Sequence, residues 1–245
     1  MPARPYILSE TNWEAVRNTR FEVAILPWGA TEAHNTHLPY ATDTMQCDVV
    51  AAEAARRAWD AGVKVVVLPT IPFGVNTGQR EVPLCINMNP STQLAVLGEV
   101  AESVQLCGIR KLVILNGHGG NDFKQLIREL QPKLSLLLCQ IHWFRCVDPK
   151  PYFVEPGDHA GELETSVMME IAPDLVRPLS EAGAGREYPY AVRGFREGWA
   201  WTQRRWIECT DDTGTGNPQH SSREKGRQFI DATSQQIASF LIELA

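Results

Sequence analysis

The sequence predicts an α/β fold in which helices cover both faces of a parallel sheet. Two observations support this prediction: four short runs are almost entirely apolar, and helical patterns alternate with them. A strand that is covered on both faces is apolar throughout, and strands that alternate with helices generate parallel sheets. The four runs are EVAILP (22–27), VKVVVLP (63–69), KLVILNG (111–117) and KLSLLLCQIHW (133–143).

The stretches between these runs carry helical patterns with recognisable starts and stops. The first begins at a cap provided by Asp43 or Thr44 and stops at Gly62, and the second has Ser91 as its cap and stops at Gly108. Further helices are predicted within NDFKQLIREL (121–130) and GDHAGELETSVMMEI (157–171), and 221–245 has the spacing of a long amphipathic helix. In sheets of this kind ligands bind beyond the carboxyl ends of the strands.

Composition excludes several classes of function. The chain has 245 residues, 44% hydrophobic and 21% charged, with a net charge of −6. It therefore lacks the positive patch of a nucleic-acid-binding protein and any basic run suited to anionic membranes. We find neither a membrane-length apolar segment nor the apolar core of a signal peptide, so a cytoplasmic location is expected. The six cysteines form no C-x-x-C pair, and free thiols are expected.

The chain shows no repeat, low-complexity tract or linker, so we predict one domain that spans residues 1–245. Residues 149–216 are less regular and carry Trp199, Trp201 and Trp206. We interpret this region as loops and short elements that wall a pocket or form part of an oligomer interface.

The stretch GATEAHNTHLPYATDT (29–44), directly after the first predicted strand, is rich in side chains that can bind metals or transfer protons. It holds Glu32, His34, His37 and Asp43 within twelve residues. Residues two apart in extended chain face the same way, so Glu32 and His34 can face one cation, and Asp43 can bridge two. Imidazole and carboxylate ligands suit zinc, manganese or iron. The alternative is a polar surface loop, which four candidate ligands at a strand exit make the weaker interpretation.

A second motif, LNGHGGND (115–122), ends the third predicted strand and brings His118 to the same sheet edge. The flanking glycines allow close backbone approach to a ligand. A phosphate-binding loop would need the pattern G-x-x-x-x-G-K-[ST], which is absent. We therefore favour metal ligation by His118 over a plain turn.

The third motif, GDHAGELETSVMMEI, places Asp158, His159, Glu162 and Glu164 at a predicted helix start. Acidic residues are favoured there by the helix dipole, which accounts for Glu162 without any function. A cationic imidazole is disfavoured at the same place, so His159 is expected to be neutral. A neutral histidine can take up or donate a proton near pH 7.

Together these motifs resemble the creatininase (creatinine amidohydrolase) family. The pattern G-x-x-E-x-H-G-x-H-L-P, with an aspartate six residues after the second histidine, is similar to GATEAHNTHLPYATD here. The motif NGHGGN is present unchanged, HAGELETS matches the third family motif, and GNPQHSSREKG matches a late signature. The resemblance runs from about residue 28 to residue 226.

The resemblance implies a three-layer α/β/α sandwich around a mainly parallel sheet and a hydrolase with two divalent cations (Zn, Mn or Fe). Carried over by motif, Glu32 and His118 would hold one cation, Asp43 would bridge, and His34 would hold the second with Glu164. Metal-activated water would attack the substrate carbonyl. His159 would transfer the proton. His37 would orient one of the metal ligands through a hydrogen bond, or be purely structural. The resemblance also implies a homo-oligomer, in this family usually a hexamer.

Departures from the family pattern concern the substrate. Gly119 and Gly120 stand where creatininases carry a tyrosine and a metal-binding glutamate, so the second metal site must be completed differently. Glu155 replaces a tryptophan, Asn35 and Thr36 replace Gly-Pro, and NTGQREVPLCINMNP (76–90) replaces E-H-x-x-F-P-G-T. Creatinine is therefore a poor candidate. We predict a small-molecule substrate contacted by a mainly polar set: Asn76, Thr77, Gln79, Gly119 and Gly120.

Three alternatives compete with the hydrolysis of a cyclic or linear amide. Ring opening of a cyclic polyol ketone of the dehydro-inosose type stays open, because the polar segment from Asn76 to Arg80 suits a polyhydroxylated or anionic ligand. A non-catalytic metal-binding family member would have lost a ligand or His159, yet all are present. A nicotinamide-dependent enzyme would need G-x-G-x-x-G after the first strand, where GATEAH stands instead.

Overall fold

A computed structural model describes residues 3–245 and places a four-stranded, entirely parallel sheet at the centre of that range. The strands are β1 (Val23–Trp28), β2 (Val65–Val67), β3 (Lys111–Asn116) and β4 (Leu137–His142), in the order β2-β1-β3-β4. Trp28 at the end of β1 pairs with Asn116 at the end of β3, and Asn116 pairs with His142 at the end of β4. The carboxyl ends of these three strands therefore form one level edge.

Helices cover both faces of this sheet. In chain order they are α1 (Trp13–Arg17), α2 (Thr42–Asp60), α3 (Pro90–Leu106), α4 (Phe123–Leu130), α5 (Glu162–Ile171), α6 (Arg193–Arg196), α7 (Trp206–Cys209) and α8 (Arg223–Leu244). Successive strand side chains point to opposite faces. Accordingly Val23 and Ile25 pack with α2 and α8, whereas Ala24 and Leu26 pack with α3 and α4. This three-layer arrangement confirms the predicted fold class.

Three predicted helix starts were wrong, each for a local reason. The N-cap residue of α2 is Ala41 and not the predicted Asp43 or Thr44, because the Asp43 carboxylate contacts His34 and the Thr44 hydroxyl donates to the Ala30 carbonyl. α3 begins at Pro90 with Asn89 as its N-cap residue, two residues earlier than the predicted Ser91 cap, because proline suits the first helical position. α5 begins only at Glu162. The chain before it is held away from helix by Ala160, whose φ is 52°, and by His159, which pairs with Thr215 in an isolated bridge.

The fourth strand is shorter than its apolar run. β4 starts at Leu137, because residues 131–133 close α4 with a single 3₁₀ turn that contains Pro132. β2 likewise keeps only three residues of the predicted run. The six cysteines form no disulfide, as predicted. No helix within residues 3–245 has both the length and the hydropathy needed to cross a membrane.

The late motif SSREKG (221–226) has a structural role. Ser222 caps α8 by accepting a hydrogen bond from the Lys225 backbone N–H, and the Lys225 ammonium pairs with the fully buried Glu162. Gly226 lies against the backbone of Ser166 on α5, where a Cβ atom would collide with the Ser166 carbonyl. These contacts fasten α8 to α5, the helix that carries Glu164.

Candidate metal centre

Five candidate ligands meet at the carboxyl edge of the sheet. Glu32 and His34 follow β1, and His118 follows β3. Asp43 lies in the first turn of α2, and Glu164 lies in the first turn of α5. The first four side chains are almost completely buried, and the Glu164 side chain is 18% exposed. The edge where ligands were expected thus carries a buried cluster of three carboxylates and two imidazoles.

Asp43 lies at the middle of this cluster. Its Oδ1 is 2.9 Å from His34 Nε2, and its Oδ2 is 3.1 Å from His118 Nδ1. The second contact lacks hydrogen-bond geometry, so the buried Oδ2 has no hydrogen-bond partner. Each carboxylate oxygen therefore faces a different imidazole, which is the arrangement a bridging ligand needs.

The histidine rings are oriented by backbone carbonyls. His34 Nδ1 lies 3.1 Å from the Glu32 carbonyl, and His118 Nε2 lies 3.1 Å from the Val75 carbonyl. A carbonyl oxygen can only accept, so each of these ring nitrogens donates its proton. The other nitrogen of each ring then faces the carboxylates. Histidines that bind metals are held in this way by their second nitrogen.

Glu32 has one oxygen fixed and one directed into the cluster. Its Oε2 accepts a hydrogen bond from Gln79 Nε2. Its Oε1 lies 2.7 Å from His118 Nδ1 and 3.9 Å from His34 Nε2. Gln79, predicted as a substrate contact, therefore touches a candidate ligand. A single 3₁₀ turn at Thr77–Gln79 positions it.

The electrostatics of the cluster favour a cation. Burial lowers the pKa of His34, but the Asp43, Glu164 and Glu32 carboxylates outweigh it and raise the pKa to about 10. His118 behaves alike: burial lowers its pKa, while Glu32 and Asp43 raise it well above its usual value. Three carboxylates buried together need compensating positive charge. A divalent cation bound between these carboxylates would supply that charge.

Burial and neighbouring charge also shift the carboxyl groups in opposite directions. Burial raises the pKa of Asp43, but His34 and His118 outweigh it and the pKa ends below its ordinary value. The pKa of Glu164 is raised, chiefly by burial. The site thus favours the charged form of Asp43 more than that of Glu164.

The ligand atoms fall into sets that fit cations. Glu32, Asp43 and His118 form one set, and His34, Asp43 and Glu164 form another, with the offered atoms of each set lying within 4.8 Å of one another. These sets share Asp43. A third set combines Glu32, His34 and His159, so position alone also allows His159 to be a ligand. Nitrogen and carboxylate donors in these numbers fit zinc, manganese or iron.

Gly120 offers no candidate ligand, and the structure leaves no room for a side chain at this position. A Cβ atom at Gly120 would collide with the Val75 carbonyl and with His118 Nε2, the two atoms whose hydrogen bond orients the His118 ring. A side chain at this position would displace that ring. Here α5 supplies the carboxylate, and the Ala160 N–H donates to Glu164 Oε2 at 2.6 Å.

His159 is buried beside the cluster. Its Nε2 donates to the Ala33 carbonyl at 2.8 Å, and its Nδ1 lies 3.9 Å from Glu32 Oε1. Its ring stacks on His34 with centroids 4.1 Å apart. His159 precedes α5 by three residues and lies outside that helix. Its Nδ1 is left without a hydrogen bond, because the Ala33 carbonyl accepts from the other ring nitrogen.

A cavity of about 920 Å³ opens over the cluster. Of the predicted substrate contacts, four line it: Asn76, Gln79, Gly119 and Gly120. Thr77 does not line it, and its hydroxyl donates to Asn87 Oδ1. The exposed Trp201 and the buried Trp206 also line the cavity, whereas Trp199 is exposed outside it.

His37 is buried but points away from the cluster. Its Nε2 lies 2.8 Å from Thr165 Oγ1, next to Glu164 in the chain, and its Nδ1 has no partner. Burial and the charge of His34 lower its pKa to about 4. His37 thus contacts α5, and no candidate ligand is its hydrogen-bond partner.

Comparison with known sequences points to one family. A sequence model described as creatininase, creatinine amidohydrolase, matches residues 9–241. A mycofactocin precursor peptide peptidase of Mycobacterium tuberculosis is 28% identical over 219 residues, which covers 85% of this chain and 80% of that protein. A creatinine amidohydrolase of Pseudomonas putida is 24% identical over 177 residues, which covers 63% of this chain and 66% of that protein.

Solved structures give the same result. A Bacteroides fragilis protein, provisionally described as a creatinine amidohydrolase, is 44% identical with a TM-score of 0.93, covering 98% of this chain and 96% of that one. A structure described as creatininase with manganese is 21% identical with a TM-score of 0.77, covering 98% of each chain. The second likeness concerns the fold alone.

Proposed function

The chain belongs to the creatininase family of metal-dependent amidohydrolases, and we propose that it is a dinuclear hydrolase that cleaves the C–N bond of a linear amide. One observation carries the proposal: His34, His118 and His159 each donate one ring N–H to a backbone carbonyl and turn the other nitrogen toward buried carboxylates. Folding alone therefore prepares three imidazole nitrogens for cations or for protons.

The residues divide into two cation sites with a shared carboxylate. Glu32, Asp43 and His118 would hold one cation; His34 and Glu164, again with Asp43, would hold the other. Bound divalent cations would activate a water and polarise the scissile carbonyl. Burial of the cluster strengthens these interactions, because little water competes for the charges.

His159 is the residue we assign to proton transfer. Its Nε2–H is committed to the Ala33 carbonyl, so the lone pair of the neutral ring is on Nδ1, the nitrogen nearest Glu32. Nδ1 can take the proton of the attacking water and return it to the leaving nitrogen. His159 has no hydrogen bond to a carboxylate in the cluster, which leaves Nδ1 free for both steps.

A linear amide suits the site better than a small ring. The cavity of about 920 Å³ lies near the upper end of the range for small-molecule sites, roughly 300–1,000 Å³. Its rim includes Phe144, Tyr190 and Trp201, which offer apolar contact area well beyond the cluster. The similarity to a peptidase over most of the chain supports a peptide as substrate.

A hydrolysis screen tests this proposal. Zinc- or manganese-loaded protein is incubated with short peptides, creatinine, formamides and cyclic polyol ketones, and the products are identified by mass spectrometry. We expect a new amine and carboxylate from a peptide, lost with chelator and with His159→Gln. Ring opening of a polyol ketone with no C–N cleavage in any amide would overturn the proposal.

A further inference from the structure

Four planar groups form a column that runs from the protein surface to the candidate metal centre. The guanidinium of Arg204 lies 4.6 Å from the ring centroid of Trp206. The Trp206 and His159 centroids are 4.8 Å apart, and the His159 and His34 centroids are 4.1 Å apart. His159 thus lies between two aromatic rings, with the His34 plane inclined to it by 31° and the Trp206 plane by 59°.

The other contacts of His159 do not fix the rotation of its imidazole ring, so this rotation depends on the two neighbouring rings. Its backbone is fixed by hydrogen bonds with Thr215 in both directions, at 2.8 and 3.1 Å. One ring edge is fixed by the Ala33 carbonyl. With a single hydrogen bond at one edge, the imidazole can still rotate about its bond to Cβ. Packing of neighbouring rings against the imidazole prevents that rotation. His34 and Trp206 are the two aromatic rings that pack against the His159 ring.

Trp206 is itself firmly held. It packs with Ala33, Val82 and Cys85 under the cavity wall and is 8% exposed. Arg204 covers its outer face and is fixed by a fork of two ion pairs, 2.8 Å to Asp158 and 3.0 Å to Glu187. Asp158 directly precedes His159. The fork therefore ties the Trp206 segment to the segment that carries His159.

We propose that Trp206 is a positioning residue for His159, and that Arg204 keeps Trp206 in place. This inference rests on the proposed role of His159 in proton transfer. Trp206 holds the imidazole ring of His159 in one orientation. In this orientation Nε2–H donates to the Ala33 carbonyl and Nδ1 is directed at the cluster. Displacement of a reacting group by about 1 Å can cost on the order of 100-fold in rate. Loss of the Trp206 face should therefore lower kcat far more than it changes KM.

The test compares Trp206→Phe, which keeps an aromatic face, with Trp206→Leu, which keeps bulk but has no such face. The full-length, zinc-loaded protein is labelled with ¹⁵N-histidine, and the signals of His159 are assigned by their absence in His159→Gln. We expect the Nε2–H tautomer in the wild type and in Trp206→Phe. We expect Trp206→Leu to show Nδ1 and Nε2 shifts averaged between two tautomers, with zinc content unchanged.

The kinetic arm uses the peptide found by the screen above. We expect kcat to fall roughly 10–100-fold in Trp206→Leu and to recover largely in Trp206→Phe. Trp13→Leu is the matched control, because Trp13 is 74% exposed on α1. Failure to find a substrate would count against the proposed function. The NMR measurement needs no substrate, so the His159 tautomer in Trp206→Leu would still decide this inference.

Two results would overturn the inference. One is a wild-type tautomer in folded, zinc-loaded Trp206→Leu. The other is a kcat in Trp206→Phe that is as low as in Trp206→Leu. The size of the indole in the cavity would then matter, and not the presence of an aromatic ring beside His159. If Trp206→Leu does not fold, Arg204→Gln decides: averaged His159 shifts support the inference, and wild-type shifts contradict it.

Discussion

Replacement of Gln79 by leucine should weaken metal binding without removing any candidate ligand. Gln79 and Glu32 are 2% and 1% exposed, and the Gln79 amide donates to Glu32 Oε2. A hydrogen bond to a charged group contributes about 1.5–3 kcal/mol. At about 1.4 kcal/mol per tenfold, that corresponds to a loss of roughly 10- to 150-fold in zinc affinity. The range agrees with the 10- to 100-fold typical of groups that orient metal ligands.

The assay is a zinc titration in competition with a chromophoric chelator. Gln125→Leu is the matched control, because Gln125 is exposed on α4 and does not line the cavity. Gln79→Glu should weaken zinc further than Gln79→Leu, since it sets a second carboxylate against Glu32. An unchanged zinc affinity in a folded Gln79→Leu protein would refute the reasoning that Glu32 is a ligand oriented by Gln79.

Three further predictions follow from the site and the packing. His159→Gln should retain both cations and lose roughly 10²–10⁴-fold in turnover, whereas Glu164→Gln should lose one cation; metal loss in the first with retention in the second would reverse the two roles. Gly226→Ala should lower the free energy of unfolding by about 1–3 kcal/mol or more by overpacking against Ser166, and calorimetry should show a smaller effect for Gly98→Ala, which meets only the end of Leu130. Light scattering should give a hexamer, six times the 27.3 kDa chain; a monomer at micromolar concentration would contradict this.

Sequence patterns predicted the layers of the fold because each layer depends on local composition. The apolar runs of β1 and β3 occur where both faces of the sheet are covered. Element boundaries were less predictable, because they depend on contacts made far along the chain. The start of α5 is the clearest case: Thr215, over fifty residues later, pairs with His159 and keeps it out of the helix.

The candidate site divides in the same way. Glu32, His34, Asp43 and His118 could be grouped from the sequence, because each directly follows a strand or opens a helix at one sheet edge. The role of Gln79 could not, since a polar residue in a loop gives no sign of which carboxylate it will meet. The sequence marks Trp206 only as part of a tryptophan-rich segment. The fold shows that its ring lies 4.8 Å from that of His159.

Metal stoichiometry is the direct test of whether Asp43 joins two cation sites. Elemental analysis of zinc-reconstituted protein after removal of free zinc should give about two ions per chain, the count of a two-metal hydrolase. Asp43→Asn should reduce the occupancy of both sites, because each Asp43 oxygen faces a different histidine. A wild-type protein without stoichiometric zinc, or an Asp43→Asn protein that still binds two ions, would contradict the account.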